Sequence, residues 1–254
     1  MEIFLHADTW IALVTLTFLE IILGIDNIIF ISITANKLPK EQIKKATLLG
    51  LALAMITRIL LLFSISYLIA MKDPFWEVDL GWFKTALTGQ SIILFLGGLF
   101  LLYKSTHEIR QKVEHTNEDD VLKTPKVISF QSVIIQIILI DIVFSFDSIL
   151  TAVGMTNGIN GALMIMIFAV IISIVIMMIF SNPISNFVNN NPTIQMLALA
   201  FLILIGFMLI TEGAHLSETR IFNKTVGVIP KGYLYFAIAF SLGVEMLNLK
   251  SRKK

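Results

Sequence analysis

The stretch Leu19-Glu20-Ile21-Ile22-Leu23-Gly24-Ile25-Asp26-Asn27-Ile28-Ile29-Phe30 sets two carboxylates and an amide in a run otherwise as apolar as lipid. It returns 121 residues later as Ile140-Asp141-Ile142-Val143-Phe144-Ser145-Phe146-Asp147-Ser148-Ile149-Leu150. Glu20 then matches Asp141, Asp26 matches Asp147 and Asn27 matches Ser148, and the same offset carries Asn36 onto Asn157. A carboxylate at bilayer depth costs about 3 kcal/mol or more, so such groups are rare and mark functional interiors. Four of them at matched spacing point to a site built twice.

The surrounding composition says which solvent that site lives in. Of 254 residues, 56% are hydrophobic and only 15% charged, and the mean hydropathy is +0.85. No soluble domain needs so much apolar residue. Several runs exceed the roughly 18 consecutive apolar residues expected of a spanning helix. The net charge of +1 offers no nucleic-acid surface, and the lack of cysteine excludes disulfides, Fe–S clusters and thiolate metal sites. The N-terminal Met1–Asp8 has no basic n-region, so the first span is expected to be retained.

Outward from the acidic stretch, the spans read as 10–34, 48–70 with Arg58 inside it, 90–103 with Gly97-Gly98, 127–155, 162–180, 194–211 and 232–249. Residues 72–82 form a net-negative loop with two interfacial tryptophans, and 104–126 a polar linker dividing the chain. With the N-terminus outside, cytoplasmic segments hold 13 of the 19 Lys/Arg, as the positive-inside rule requires. The expected fold is therefore an all-α polytopic membrane protein with seven transmembrane helices, N-out and C-in. Spans one and four then run antiparallel. The chain divides into a first three-helix repeat (10–103), the cytoplasmic linker (104–126), an inverted second repeat (127–215) and a seventh helix (232–249). A second echo, Gly98…Lys104…His107 against Gly206…Glu212…His215, fits the same 3+3 arrangement. Inverted repeats place substrate at the midplane, often where helices are interrupted.

Six acids lie within spans or at their ends: Glu20, Asp26, Asp141, Asp147, Glu212 and Glu245. Six residues turn a helix through about 600°, leaving Glu20 and Asp26 about 120° and 9 Å apart. They share one small ion only if the helix breaks, for which Gly24 and Asp26-Asn27 are the candidate places. Alternatively the two acidic helices cross, so that Asp26 meets Asp147 and Glu20 and Asp141 form a second layer. The donors are oxygens, from carboxylates, Asn27 and Ser148, which suit hard cations such as Mg²⁺, Ca²⁺ or Mn²⁺. Four empty buried carboxylates would not all stay ionised, so loss of the cation would be linked to proton uptake. Arg58 is expected to pair with an acid of another helix or to snorkel, and Asn36 and Asn157 to cap helix ends. Glu245 reads equally well as a structural hydrogen-bonder. His107, His115 and the acids at 118–120 read as a solvated face.

At these motifs the chain resembles the TerC family of integral membrane proteins. The resemblance rests on Leu19-Glu20…Gly24-Ile25-Asp26-Asn27, on Asp141…Phe146-Asp147-Ser148, and on Ile229-Pro230-Lys231-Gly232-Tyr233…Glu245-Met246-Leu247-Asn248. It implies a multi-pass bacterial plasma-membrane protein of the LysE-like transporter group, acting in Mn²⁺ efflux and metal homeostasis. The protein would be a transporter and no enzyme, with no permanently bound cofactor and the divalent ion as its cargo. By position, Glu20, Asp26, Asn27, Asp141, Asp147, Ser148, Glu212 and Glu245 are the implied ion-pathway residues. Some members of such a family supply metal to exported enzymes beside the secretion machinery, which gives a rival reading as a non-transporting partner of that machinery. A third, an intramembrane aspartyl protease, also needs two acids, but Gly24-Ile25-Asp26 lacks the first Gly of a Gly-x-Gly-Asp motif.

Overall fold

In hydrocarbon a backbone N–H or C=O has no water to bond, so an apolar segment long enough to cross must close its hydrogen bonds within itself as a helix. The computed structural model of the chain follows that rule. It describes residues 7–252 apart from 65–66, 68, 70, 115–128, 157–158 and 160, and leaves undescribed the side chains at 25, 26 and 252. The helices are α1 (Ala7–Ala35), α2 (Lys40–Phe63), α3 (Gly89–Glu114), α4 (Phe130–Thr156), α5 (Ala162–Asn189), α6 (Pro192–Leu216) and α7 (Lys231–Arg252). Among the described residues these are seven helices long and apolar enough to cross a membrane.

Helix ends fall where the local chemistry puts them. Pro39 and Pro192 sit at the starts of α2 and α6, where a missing N–H costs nothing. Gly161 takes φ +78° just before α5, a left-handed conformation that glycine adopts without strain. α1 runs unbroken through Gly24-Ile25-Asp26-Asn27, so the interruption considered there is absent. α3 continues eleven residues past the expected end of its span. Lys104–Glu108 (2.9 Å) and Arg110–Glu114 (2.6 Å) pair one turn apart along it. These i,i+4 pairs carry the helix into the segment read as linker. The rest of that segment, including His115 and the acids at 118–120, lies outside the described residues, as does Asn157.

The chain divides into two compact units, each drawing on both halves of the sequence. In the first, α1 packs against α5 and α2 against α4, with α1–α4 and α2–α5 contacts closing the four-helix group. Leu16, Ile28, Phe30, Leu62, Ile137 and Phe146 fill its core. Ile11, Val14 and Phe18, at helical spacing on α1, stay exposed as lipid-facing residues do.

In the second unit α3 and α6 pack closely along their length. A Cβ added to Gly98 would stand 2.5 Å from the Gly206 carbonyl oxygen, and one added to Gly206 would stand 2.9 Å from that of Gly98. Small residues let two helix backbones approach in lipid, and these are the two glycines aligned by the second sequence echo. α7 packs little, and leaves Tyr233, Phe236, Phe240, Val244 and Leu247 exposed.

The segment read as a polar loop is instead a hairpin, β1 (Pro74–Asp79) and β2 (Phe83–Thr88). β3 (Arg220–Ile221) and β4 (Lys224–Thr225) complete an antiparallel four-stranded sheet in the order β1-β2-β3-β4. Gly81, at φ +80°, makes the tight turn, and its N–H donates to Asp79 Oδ1 (2.9 Å). Lys84 reaches the other Asp79 oxygen at 2.7 Å. Together they hold the Asp79 carboxyl below the ordinary aspartate range. Because β2 pairs with β3, the loop before α3 and the loop after α6 lie on one side of the membrane, as alternating spans require.

Candidate functional site

The first unit buries an ionic cluster. Glu20 lies midway along α1, Arg58 in the last two turns of α2 and Asp141 in the middle of α4. Their exposures are 3%, 2% and 4%, so none reaches water in a segment built to lie in lipid. An unpaired charge there would be prohibitively costly, and the helices are arranged so that none is unpaired. Arg58 Nη1 donates to Glu20 Oε2. Arg58 Nε and Nη2 both donate to Asp141 Oδ1, at 3.3 and 3.1 Å.

Two neutral side chains finish the shell around Asp141. Ser145, one turn along α4, donates its hydroxyl to Asp141 Oδ2 at 3.1 Å. Asn27 of α1, two turns from Glu20, donates Nδ2 to Asp141 Oδ1 at 3.4 Å. Its Oδ1 is buried and has no hydrogen-bond partner. A buried amide oxygen with nothing to accept from is costly, and it marks where a cation or a water would be held.

The expected site residues are thus sorted by the fold. Glu20, Asn27 and Asp141 come together. Ser148 is buried one turn from Ser145 and donates to the Ser145 carbonyl oxygen at 3.2 Å. Asp147 is half-buried on α4, and the six-residue step sets it about 120° and 9 Å from Asp141. The Asp26 side chain lies outside the described residues, and with it the expected meeting of Asp26 and Asp147. Glu212 (α6) and Glu245 (α7) belong to the second unit, both half-buried. Glu245 Oε2 accepts from Asn248 (3.4 Å), while Oε1 is buried without a partner. Among the described residues no three Asp, Glu, His or Cys side chains gather closely enough to hold a metal by themselves.

Two site residues stood outside the expected ligand set. Arg58 was expected to find an acid, and it finds two. It is an ionisable group inside a span like the acids and was equally visible, but its partners depend on how α2 packs. Ser145 stands 121 residues after Gly24, the matching position of the second acidic stretch, and its hydroxyl serves Asp141. Arg58 also changes the charge balance. Glu20, Arg58 and Asp141 together carry a formal −1, where the four carboxylates considered above carry no compensating cation.

A buried acid–arginine–acid cluster inside a bundle of membrane-length helices defines a polytopic membrane protein with a charged interior. The chain belongs to the TerC family: the family profile described as "Integral membrane protein TerC family" matches residues 5–253. It is 45% identical over 246 residues to a UPF0053 protein of Haemophilus influenzae, covering 97% of this chain and 95% of that one. It is 44% identical over 247 residues to the UPF0053 inner membrane protein YgdQ of Escherichia coli K12, covering 97% and 95%. The E. coli inner membrane protein YoaE is 40% identical over 253 residues, 100% of this chain but 45% of that longer protein. No solved structure matches. The inner-membrane naming of these relatives and the seven candidate spans make this a multi-pass bacterial plasma-membrane protein.

Proposed function

We propose that the protein transports a divalent cation, most specifically Mn²⁺ outward, through the interior that contains Glu20, Asn27 and Asp141. The observation that carries the reading is the Asn27 amide oxygen, buried and unpartnered beside a buried carboxylate. Carboxylate and amide oxygens are hard donors, and the chain has no thiolate to favour a softer metal. The TerC resemblance supports Mn²⁺ among the hard ions. The inverted 3+3 repeat supports alternating exposure of that site to the two sides, with Asp26 and Asp147 as its symmetry-related acids and Glu212 and Glu245 as acids of the second unit's pathway. Protons serve as counter-ions in this scheme, because an acid that releases Mn²⁺ in an apolar interior is stabilised by a proton.

Equilibrium binding by the purified protein tests the reading. Mn²⁺ titrated into protein in detergent and followed by its electron paramagnetic resonance signal should bind saturably. Asp141→Asn should weaken that binding by about tenfold or more, the scale of 1.4 kcal/mol for one lost charged ligand. Asn27→Leu, which removes the free oxygen and no charge, should weaken it less. Undiminished binding in both variants would remove the site, and no binding by wild type would leave the secretion-partner reading.

A further inference from the structure

We propose that Arg58 is a tethered cation that makes the Asp141 site answer to divalent ions and ignore monovalent ones. The inference rests on the divalent-transport reading and assigns a specificity-determining role to a residue outside the expected ligand set.

The Oδ1 oxygen of Asp141 is fully engaged in this structure. It accepts from Arg58 Nε, Arg58 Nη2 and Asn27 Nδ2, and Oδ2 accepts from Ser145. An incoming ion can ligate Oδ1, the oxygen beside Asn27, only by taking the place of the guanidinium. Arg58 is 2% exposed, so water cannot take over its charge, but it has a second anchor, Glu20, through Nη1. The guanidinium can therefore release Asp141 and keep its charge compensated on Glu20.

Charge decides which ions can force that exchange. Na⁺ or K⁺ brings the same single charge that the guanidinium already supplies. It offers no directed hydrogen bonds in return for the two it breaks, so the exchange gains nothing. A divalent ion brings twice the charge to the same oxygen, and the unpartnered Asn27 Oδ1 adds a second ligand beside it. Stability alone gives weak reason to keep such a triad, since replacing a buried ion cluster by apolar residues is often neutral or favourable. The 121-residue offset takes Arg58 onto Ile179, so no second arginine matches it. The arginine belongs to one half only.

The test compares Mn²⁺ binding in Na⁺ with binding in N-methyl-D-glucamine at equal ionic strength. Wild type should give the same affinity in both, within about twofold. In Arg58→Met, Na⁺ should compete, lowering the apparent Mn²⁺ affinity about tenfold when Na⁺ is about ten times its own Kd. Arg58→Lys keeps the charge and should behave like wild type, which separates charge from packing. Should Arg58→Met fail to fold, the double variant Glu20→Gln/Arg58→Met keeps the cluster at −1 and should show the same Na⁺ competition. Na⁺-insensitive binding in the arginine-free variants, or Na⁺ competition in wild type, overturns the inference and leaves divalent binding standing. Absence of Mn²⁺ binding in wild type removes both.

Discussion

Replacing Arg58 by methionine keeps most of the side-chain volume and removes one positive charge from between two buried carboxylates. The loss can be scaled from the structure. Arg58 Nη2 stands 3.1 Å from Asp141 Oδ1. At that distance, with an effective dielectric of about 20, one charge pair is worth about 5 kcal/mol before desolvation. Breaking a buried pair by removing one partner costs about 3–5 kcal/mol, because the other charge is left uncompensated. All three groups are at least nineteen-twentieths buried, so solvent screening gives little relief. Arg58→Met should therefore lose about 3–5 kcal/mol at pH 7 in sodium-free buffer. The triple variant Glu20→Gln/Arg58→Met/Asp141→Asn removes every charge and should come within about 1 kcal/mol of wild type or exceed it. Reversible unfolding in mixed micelles of increasing SDS fraction, followed by tryptophan fluorescence, measures both. A single variant as stable as wild type, or a triple variant as damaged as the single, would refute the view that these three groups form one ionic unit.

Other consequences follow from the packing and the topology. Gly98→Ala drives its methyl against the Gly206 carbonyl and should cost about 1–3 kcal/mol, the usual penalty of overpacking, in the same SDS titration. Gly24→Ala meets only the end of the flexible Met177 side chain and should cost less than Gly98→Ala. The chain has no cysteine, so single replacements report topology cleanly. Glu77→Cys on β1 should react with a membrane-impermeant maleimide in intact cells, and Glu41→Cys at the start of α2 only after permeabilisation; the reverse pattern would invert the N-out assignment. Asp79 should titrate below the ordinary aspartate range in carboxyl NMR, because Lys84 and the Gly81 N–H favour its ionised form. Its support of the hairpin is then complete above the unfolded value and is lost as pH falls through the lowered folded one. A midpoint at or above the ordinary value would contradict that pairing.

Much of this organisation could be read from the chain, for identifiable reasons. Spans are legible because lipid imposes a length and an apolar composition on every crossing, and the doubled acids are legible because each is an exception to that rule. The Gly98–Gly206 contact was foreshadowed by the aligned echo. What stayed hidden depends on tertiary neighbours. The pairing of Arg58 with both Glu20 and Asp141 is set by how α1, α2 and α4 pack, which no single helix encodes. Glu108 falls in the segment read as a polar linker, yet it is 3% exposed, with Lys104 against it. Phe75-Trp76-Glu77-Val78-Asp79 was too short and too mixed to announce a strand. It pairs with the adjacent β2, and the residues that extend the sheet beyond β2, Arg220 and Ile221, lie more than a hundred residues away. Gly24 is a weak helix former beside a polar pair, but the flanking isoleucines and leucines carry the helix through it.

Flux across a membrane tests the central claim most directly. Purified protein reconstituted into liposomes should move radiolabelled Mn²⁺ saturably. Asp141→Asn, Asp26→Asn and Asp147→Asn, each eluting and giving circular dichroism like wild type, should abolish that movement. Equal Mn²⁺ flux through wild type and all three variants would contradict the assignment of these acids to an ion pathway.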